Sequence, residues 1–270
     1  MLRHLRTITK ARPRFSAEGL EVQLPTAWRQ LTQRQLRYVL TLLAMFTSTE
    51  AKTLVLFRLG NINVLRSGPR WHVCWIREKW WRRRFFRLTT EDVAAFTDHL
   101  DFIDTLCDVR LERIGLRKAA DLKFGDVTLW DYLNIEYNYT RYLATREEKY
   151  VVRMARIMYR PVLGGHLARI CRLNSLSKAE EVGTVMWFTY VKRAFAEMFP
   201  NLYRAGTTGG EMPTQQQLLD SINNQLRALT EGDLTKREAI KEMPCRTALT
   251  ELDSKAHEYA EFERMKAKNT

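Results

Sequence analysis

Long apolar runs are missing from this 270-residue sequence. Its most apolar stretches, residues 39–45 and 53–59, are much shorter than the roughly 18–20 residues that a transmembrane helix needs. The basic N-terminus also lacks the apolar segment of a secretory signal. We therefore expect no membrane contact and no export.

Cysteine and histidine are scarce as well. Cys74, Cys107, Cys171 and Cys245 are widely separated, which argues against a disulfide framework and is typical of reduced thiols. The five histidines show no paired metal-ligand spacing. His72 and Cys74 would share one strand face, but two ligands do not make a metal site. We predict that the protein holds no metal ion.

The signatures of common enzymes are absent too. The sequence has no glycine-rich phosphate loop ending in Lys-Ser or Lys-Thr, no GxGxxG after a predicted strand and no G-x-S-x-G motif. Asp98, Asp101 and Asp104 recur every three residues, and we interpret them as a solvated helix face rather than a cation site. We predict a non-enzymatic protein with no catalytic residue and no cofactor.

Acidic residues are rare in the first third of the chain. Residues 1–88 contain 18 Lys or Arg against four Glu and no Asp, whereas the rest of the chain has 26 basic and 27 acidic residues. Residues 71–88 combine six of these basic residues with four Trp and two Phe. This composition favours an anionic partner, either nucleic acid or an acidic protein surface. A merely solubilising surface is the alternative.

The residues that are present predict a mostly α fold with a small antiparallel β meander, an α+β chain. Three short strands at residues 62–65, 72–76 and 83–88 form the meander. Helix starts are predicted where a threonine or serine precedes a capping partner by three residues. These pairs are Thr32 with Gln35, Thr89 with Asp92, Ser177 with Glu180 and Thr214 with Gln217.

Charge, glycine and proline divide the predicted chain into four parts. They are a basic mobile extension at residues 1–23, a multi-helix main domain with the meander at residues 24–205, a linker at 206–213 and a C-terminal helical arm at 214–270. Trp28 is a predicted core anchor of the main domain. The arm is expected to pack on the main domain or on another subunit.

The stretch at residues 71–88 has two interpretations. Alternation places Arg83, Phe85 and Arg87 on one strand face and Phe86 on the other, and we expect arginine stems to lie across aromatic rings. In one interpretation the aromatic residues form the packing face of the sheet and the arginines a solvated rim. In the other, the basic groups contact phosphates while the rings stack on bases. The contacts of this nucleic-acid alternative would be Trp71, Trp75, Trp80, Trp81, Arg82, Arg83 and Arg84.

Several segments resemble proteins of phage and prophage structural gene clusters of Bacteroidetes. The resembling segments are residues 24–28, 31–36, 85–91, 187–188, 195–200 and 248–256. None is a chemical motif, so the resemblance is one of pattern. It implies a non-enzymatic role in virion assembly, as a tail assembly chaperone in the cytoplasm of a bacterial host or associated with the virion.

The resemblance implies a phage structural protein as partner, and a homo-oligomer is compatible with it. We expect a basic face to steer the partner and an apolar helical stripe to dock it. The basic residues are Arg77, Lys79, Arg82, Arg83, Arg84 and Arg87. The apolar residues are Leu218, Ile222, Leu226, Leu249, Leu252 and Tyr259.

Overall fold

A computed structural model describes residues 3–7, 20–164, 170–203 and 213–268. The fold class is confirmed, because the chain is mostly helical and carries small antiparallel sheets. The chain divides into two compact units, residues 1–109 with 178–183 and residues 110–177 with 184–270. This division differs from the predicted one, which kept residues 24–205 together and set residues 214–270 apart.

Two helices open the main body of the first unit. Helix α1 (Gln33–Met45) and helix α2 (Ser48–Leu59) each begin with a capping box, in which a threonine and a residue three positions later satisfy each other's backbone N–H. The predicted pair Thr32 and Gln35 caps α1. Trp28, just before α1, is buried against Phe102 with ring centroids 5.3 Å apart, so its predicted role as a core anchor is confirmed.

The predicted meander follows α2. Strands β3 (Asn63–Gly68), β4 (Trp71–Lys79) and β5 (Arg82–Thr89) form an antiparallel sheet in the order β3-β4-β5. Helix α3 (Thr90–Thr97) starts directly after β5, capped by the predicted pair of Thr89 and Asp92. A 3-10 segment at residues 98–104 follows. One side of the sheet faces the buried residues of α2 and α3.

Part of the predicted N-terminal extension is paired. Strand β1 (Arg3–Thr7) is antiparallel to strand β2 (Leu20–Leu24), with Arg3 opposite Leu24. Val22 and Leu24 are buried, so this end of the pair is fixed by core contacts. Residues 1–2 and 8–19 of the extension lie outside the described residues.

The first unit also includes six residues from much later in the chain. Residues 178–183 begin helix α6 (Lys178–Met198) and belong to this unit, whereas the rest of α6 belongs to the second. Arg37 on α1 donates to Glu180 at 2.8 Å, and Ala179 is buried. These contacts attach the start of α6 to the first unit.

The second unit contains a small sheet and five further helices among its described residues. The sheet has the order β6 (Arg113–Ile114), β7 (Arg117–Ala119), β8 (Tyr159–Pro161). The helices are α4 (Leu129–Thr145), α5 (Glu148–Met158), α7 (Gln215–Thr230), α8 (Arg237–Glu242) and α9 (Cys245–Lys268). The predicted pair of Thr214 and Gln217 caps α7.

The predicted C-terminal arm is part of the core of the second unit. Buried residues of α7 and α9 form one cluster with those of α4, α5 and α6. The backbone also joins these elements, because Cys245 N–H donates to Val127 at 2.9 Å and Leu129 N–H donates to Met243 at 2.8 Å. Of the predicted linker at 206–213, all but Pro213 lies outside the described residues.

Candidate nucleic-acid interface

The register of the β3–β5 sheet separates two faces. Trp75 stands opposite Asn63 and Phe85, and side chains that are directly opposite share a face. Counting in twos along β4 and β5 from these pairs, and adding the β3 side chains that stand opposite the β4 residues so counted, defines the face that we call the outer face. Its residues are Asn63, Arg66, Trp71, Val73, Trp75, Arg77, Arg83, Phe85 and Arg87.

The opposite face of the sheet packs on the core of the first unit. Cys74, Phe86 and Leu88 on this face have no exposed surface. The His72 ring meets Phe57 of α2 edge-on, with centroids 5.6 Å apart. This face supplies the apolar contacts that hold the sheet in place. The outer face is therefore not needed to attach the sheet to the core.

The aromatic residues lie differently from their predicted role as the packing face. Of the six Trp and Phe residues between positions 71 and 88, only Phe86 is buried in the core. Trp71 and Trp75 are half-buried on the outer face, and Phe85 is 45% exposed there. The reason is the alternation of side chains along a strand, because odd-numbered positions 71–77 of β4 and 83–87 of β5 point away from Cys74 and Phe86.

Arginine side chains cover two of the outer tryptophans, as the sequence predicts. The Arg83 guanidinium carbon lies 4.7 Å from the centroid of Trp75, and that of Arg87 lies 4.9 Å from the centroid of Trp71. Cation–π contacts of this kind orient a guanidinium while leaving its N–H groups exposed to a ligand. Each Arg–Trp pair therefore offers a guanidinium plane on which a base can stack, supported from below by an aromatic ring.

Positive charge is concentrated on this sheet at the expense of stability. Arg77 stands directly opposite Arg83, and like charges in that position destabilise a strand pair. None of the described side chains of the three strands is acidic, since their one acid is Glu78, whose side chain is not described. A dense cluster of cations on a packed scaffold is typical of a surface that binds an anion.

The turn between β4 and β5 carries two exposed indoles. Trp80 is 82% exposed and Trp81 is 64% exposed, and their rings meet edge-on with centroids 5.0 Å apart. Arg82 follows and is also exposed. Exposed apolar side chains that lie together in this way are typical of an interaction site.

The structure brings together only part of each predicted residue set. Arg77, Arg82, Arg83 and Arg87 are exposed around the outer face and turn, whereas Arg84 is half-buried on the opposite face, and the Lys79 side chain lies outside the described part. Arg66 was missed by the prediction. A β-bulge between Val64 and Arg66 shifts it onto the outer face, and no local sequence signal marks that bulge.

The predicted apolar docking stripe is mostly internal. Leu226, Leu249 and Leu252 are buried in the core of the second unit, and Ile222 packs partly against it. Leu218 and Ile222 line a cleft of about 300 Å³ between α4 and α7. Tyr259 alone of the six is well exposed, at 67%. Most of the predicted docking stripe therefore stabilises the second unit, because helices of the same unit already cover it.

Other predicted sites have structural roles. Lys52 contacts Asp101 at 2.6 Å and Asp104 at 2.5 Å, and this hydrogen-bonded ammonium holds the pKa of Asp104 below its ordinary value.

The four cysteines are unpaired and buried, and burial raises the pKa of Cys74 to about 11. Among the described residues, no group of three or more His, Cys, Asp or Glu is placed to hold a metal ion. No helix of the described chain has both the length and the apolarity to cross a membrane.

Gly68 sets the position of Trp71 on the outer face. A Cβ atom added at Gly68 would lie 2.6 Å from Cε2 of Trp71, so Gly68→Ala must displace the indole and with it the Arg87 stack. We expect a shifted Trp71 indole N–H resonance with the fold retained. Gly164→Ala is the control, since no atom of the described residues lies within 4 Å of its added Cβ. An unchanged indole resonance in Gly68→Ala would contradict this geometry.

The outer face is defined entirely by the residues of this chain. No family model, curated protein or solved structure matches the sequence or the fold. The exposed arginines and aromatic rings of the outer face are accordingly the features from which a function is inferred.

Proposed function

We propose that this protein binds single-stranded nucleic acid through the outer face of the β3–β5 sheet and catalyses no reaction. The observation that supports this is the placement of Trp75 and Phe85 side by side, with Arg83 stacked on Trp75 and Arg87 stacked on Trp71. Aromatic rings on an exposed sheet stack on unpaired bases, and flanking arginines contact the phosphates.

The shape of the surface favours single strands over duplex. Trp71 and Trp75 are four strand residues apart, roughly 13 Å at about 3.3 Å per residue, which allows successive bases to spread along one strand. Bases in a duplex are already stacked on each other and present only their edges. The flat, ring-bearing sheet therefore matches an unstacked chain.

Direct binding measurements test this proposal. Fluorescence anisotropy with a labelled oligo-dT of about 30 nucleotides is expected to show binding at about 50 mM salt. Four outer-face arginines predict a log–log salt slope near −3, because each phosphate contact on a single strand contributes about −0.7. An absence of binding at about 50 mM salt would overturn the proposal.

Two variant sets separate charge from stacking. Arg83→Gln with Arg87→Gln is expected to flatten the salt slope by about 1.4. Trp75→Ala with Phe85→Ala removes two stacking rings and is expected to weaken binding at least roughly 30-fold with little change in slope, since stacking contributes about 1–3 kcal/mol per base.

A charge-matched control lies in the second unit. Arg153→Gln with Arg193→Gln removes the same charge from exposed helix positions and is expected to leave the affinity within about twofold. If this control and the Arg83 and Arg87 variant lost affinity equally, net charge rather than the outer face would carry the binding.

The predicted role as a tail assembly chaperone stays a prediction. Leu226, Leu249 and Leu252 are buried, so half of the apolar stripe that this role would use to dock a partner is not accessible. The basic residues that this role would use to steer a partner overlap the outer face. Capture of a tail or virion protein, with no nucleic acid, from phage-producing cells would favour assembly over nucleic-acid binding.

A further inference from the structure

The last three turns of α9 have a different environment from its first half. Leu249 and Leu252 are buried, but every residue from 257 to 267 is exposed except Ala260, which is half-buried. This exposed end nevertheless carries large apolar side chains. Tyr259 is 67%, Phe262 60% and Met265 58% exposed.

These three side chains form one stripe, which we call the α9 stripe. Residues three apart on a helix are neighbours on its surface, so Tyr259, Phe262 and Met265 lie on the same side with Phe262 in the middle. An aromatic and methionine stripe in water favours contact with another apolar surface.

Two charged residues on the same side of the helix indicate which apolar surface contacts the α9 stripe. Glu258 lies four residues before Phe262 and Lys266 four residues after it, so each is about 40° from Phe262 around the helix. Both side chains are exposed. The stripe is thus acidic at its beginning and basic at its end.

Such a stripe is complementary to itself when reversed. If two copies cross antiparallel at Phe262, Glu258 of each stands opposite Lys266 of the other, and Tyr259 stands opposite Met265. A parallel pairing would place Glu258 against Glu258 and Lys266 against Lys266. The charges therefore select the antiparallel, two-fold arrangement, in which the same patch is used by both copies.

We propose that the α9 stripe pairs with the α9 stripe of a second copy of this chain, giving a weak antiparallel homodimer. The contact is separate from the outer face and needs no nucleic acid. Because the apolar area of the α9 stripe is small, the dimer is weak and its population depends on the protein concentration.

Sedimentation equilibrium of the nucleic-acid-free protein tests the dimer. The average mass is expected to rise from 31.8 kDa toward twice that value as the concentration increases. Phe262→Ser is expected to reduce association at least tenfold, whereas Ala267→Ser, on another side of the helix, is expected to leave it unchanged. A mass that stays at 31.8 kDa up to millimolar concentration would overturn the proposal.

Charge reversal tests the antiparallel geometry. Glu258→Lys alone and Lys266→Glu alone each place like charges opposite one another and are expected to weaken association. A mixture of the two single variants, or the double variant, is expected to restore it. Single variants that associate as well as the unaltered protein would refute the antiparallel pairing.

Cysteine cross-linking gives a second measurement. Phe262→Cys lies at the proposed two-fold axis and is expected to form an intermolecular disulfide, whereas Arg264→Cys, on the far side of the helix, is expected to remain reduced. The four native cysteines are buried and do not compete. Equal cross-linking at both positions would refute the proposed contact.

Discussion

Replacing Trp187 with alanine is expected to lower the free energy of unfolding of the second unit by about 3–5 kcal/mol. The Trp187 side chain is fully buried, and its indole N–H donates to the Leu122 carbonyl oxygen at 2.9 Å. Its ring meets Phe124 and Tyr159 edge-on, each at a centroid distance of 5.5 Å. Alanine would leave a cavity and an unsatisfied carbonyl among rings that cannot collapse to fill it.

Urea unfolding followed by circular dichroism measures this loss. Trp80→Ala is the matched control, because the same side chain is removed from a site that is 82% exposed, and its effect is expected to stay within about 0.5 kcal/mol. Similar losses in the two variants would show that Trp187 does not anchor the core described for the second unit.

A chain ending at residue 203 is expected to lose the cooperative fold of the second unit. Such a chain lacks Leu226, Leu249 and Leu252, and burying each of these side chains contributes about 1.5–3 kcal/mol. It also lacks Asp253, whose carboxylate accepts from the backbone N–H groups of Asn201 and Leu202. Together these losses are comparable with the whole stability of a typical domain, about 5–15 kcal/mol.

A chain ending at residue 256 is the control for that truncation. It keeps the buried leucines and Asp253 and removes only the exposed end of α9, so its second unit is expected to unfold at nearly the same urea concentration as the full chain. Hydrogen exchange of α4 and α5 amides distinguishes the two chains. Protected amides in the chain ending at 203 would favour the predicted division, in which residues 214–270 form an arm separate from the main domain.

Local chemistry explains which parts of the fold could be predicted from the sequence. A capping box involves residues only three apart, so Thr32, Thr89 and Thr214 identify helix starts without knowledge of the rest of the fold. The strands of the meander were predictable for the same reason, since their alternation and turns are local.

Long-range packing explains what could not be predicted. An apolar stripe such as that of Leu226 or Leu249 shows that a helix face must be covered, but not whether the same chain or a partner covers it. Similarly, alternation separates Phe85 from Phe86, but only the β3–β4 register and its bulge bring Arg66 beside Val73. The composition of the candidate site was visible in the sequence, whereas its outward orientation required the fold.

The discontinuous first unit has a consequence for protein synthesis. Glu180, which pairs with Arg37, is made long after the rest of that unit. At about 5–20 residues per second, residue 183 follows residue 109 by roughly 4–15 s. During that interval the nascent first unit lacks its last six residues. Its completion on the ribosome therefore depends on the arrival of the start of α6.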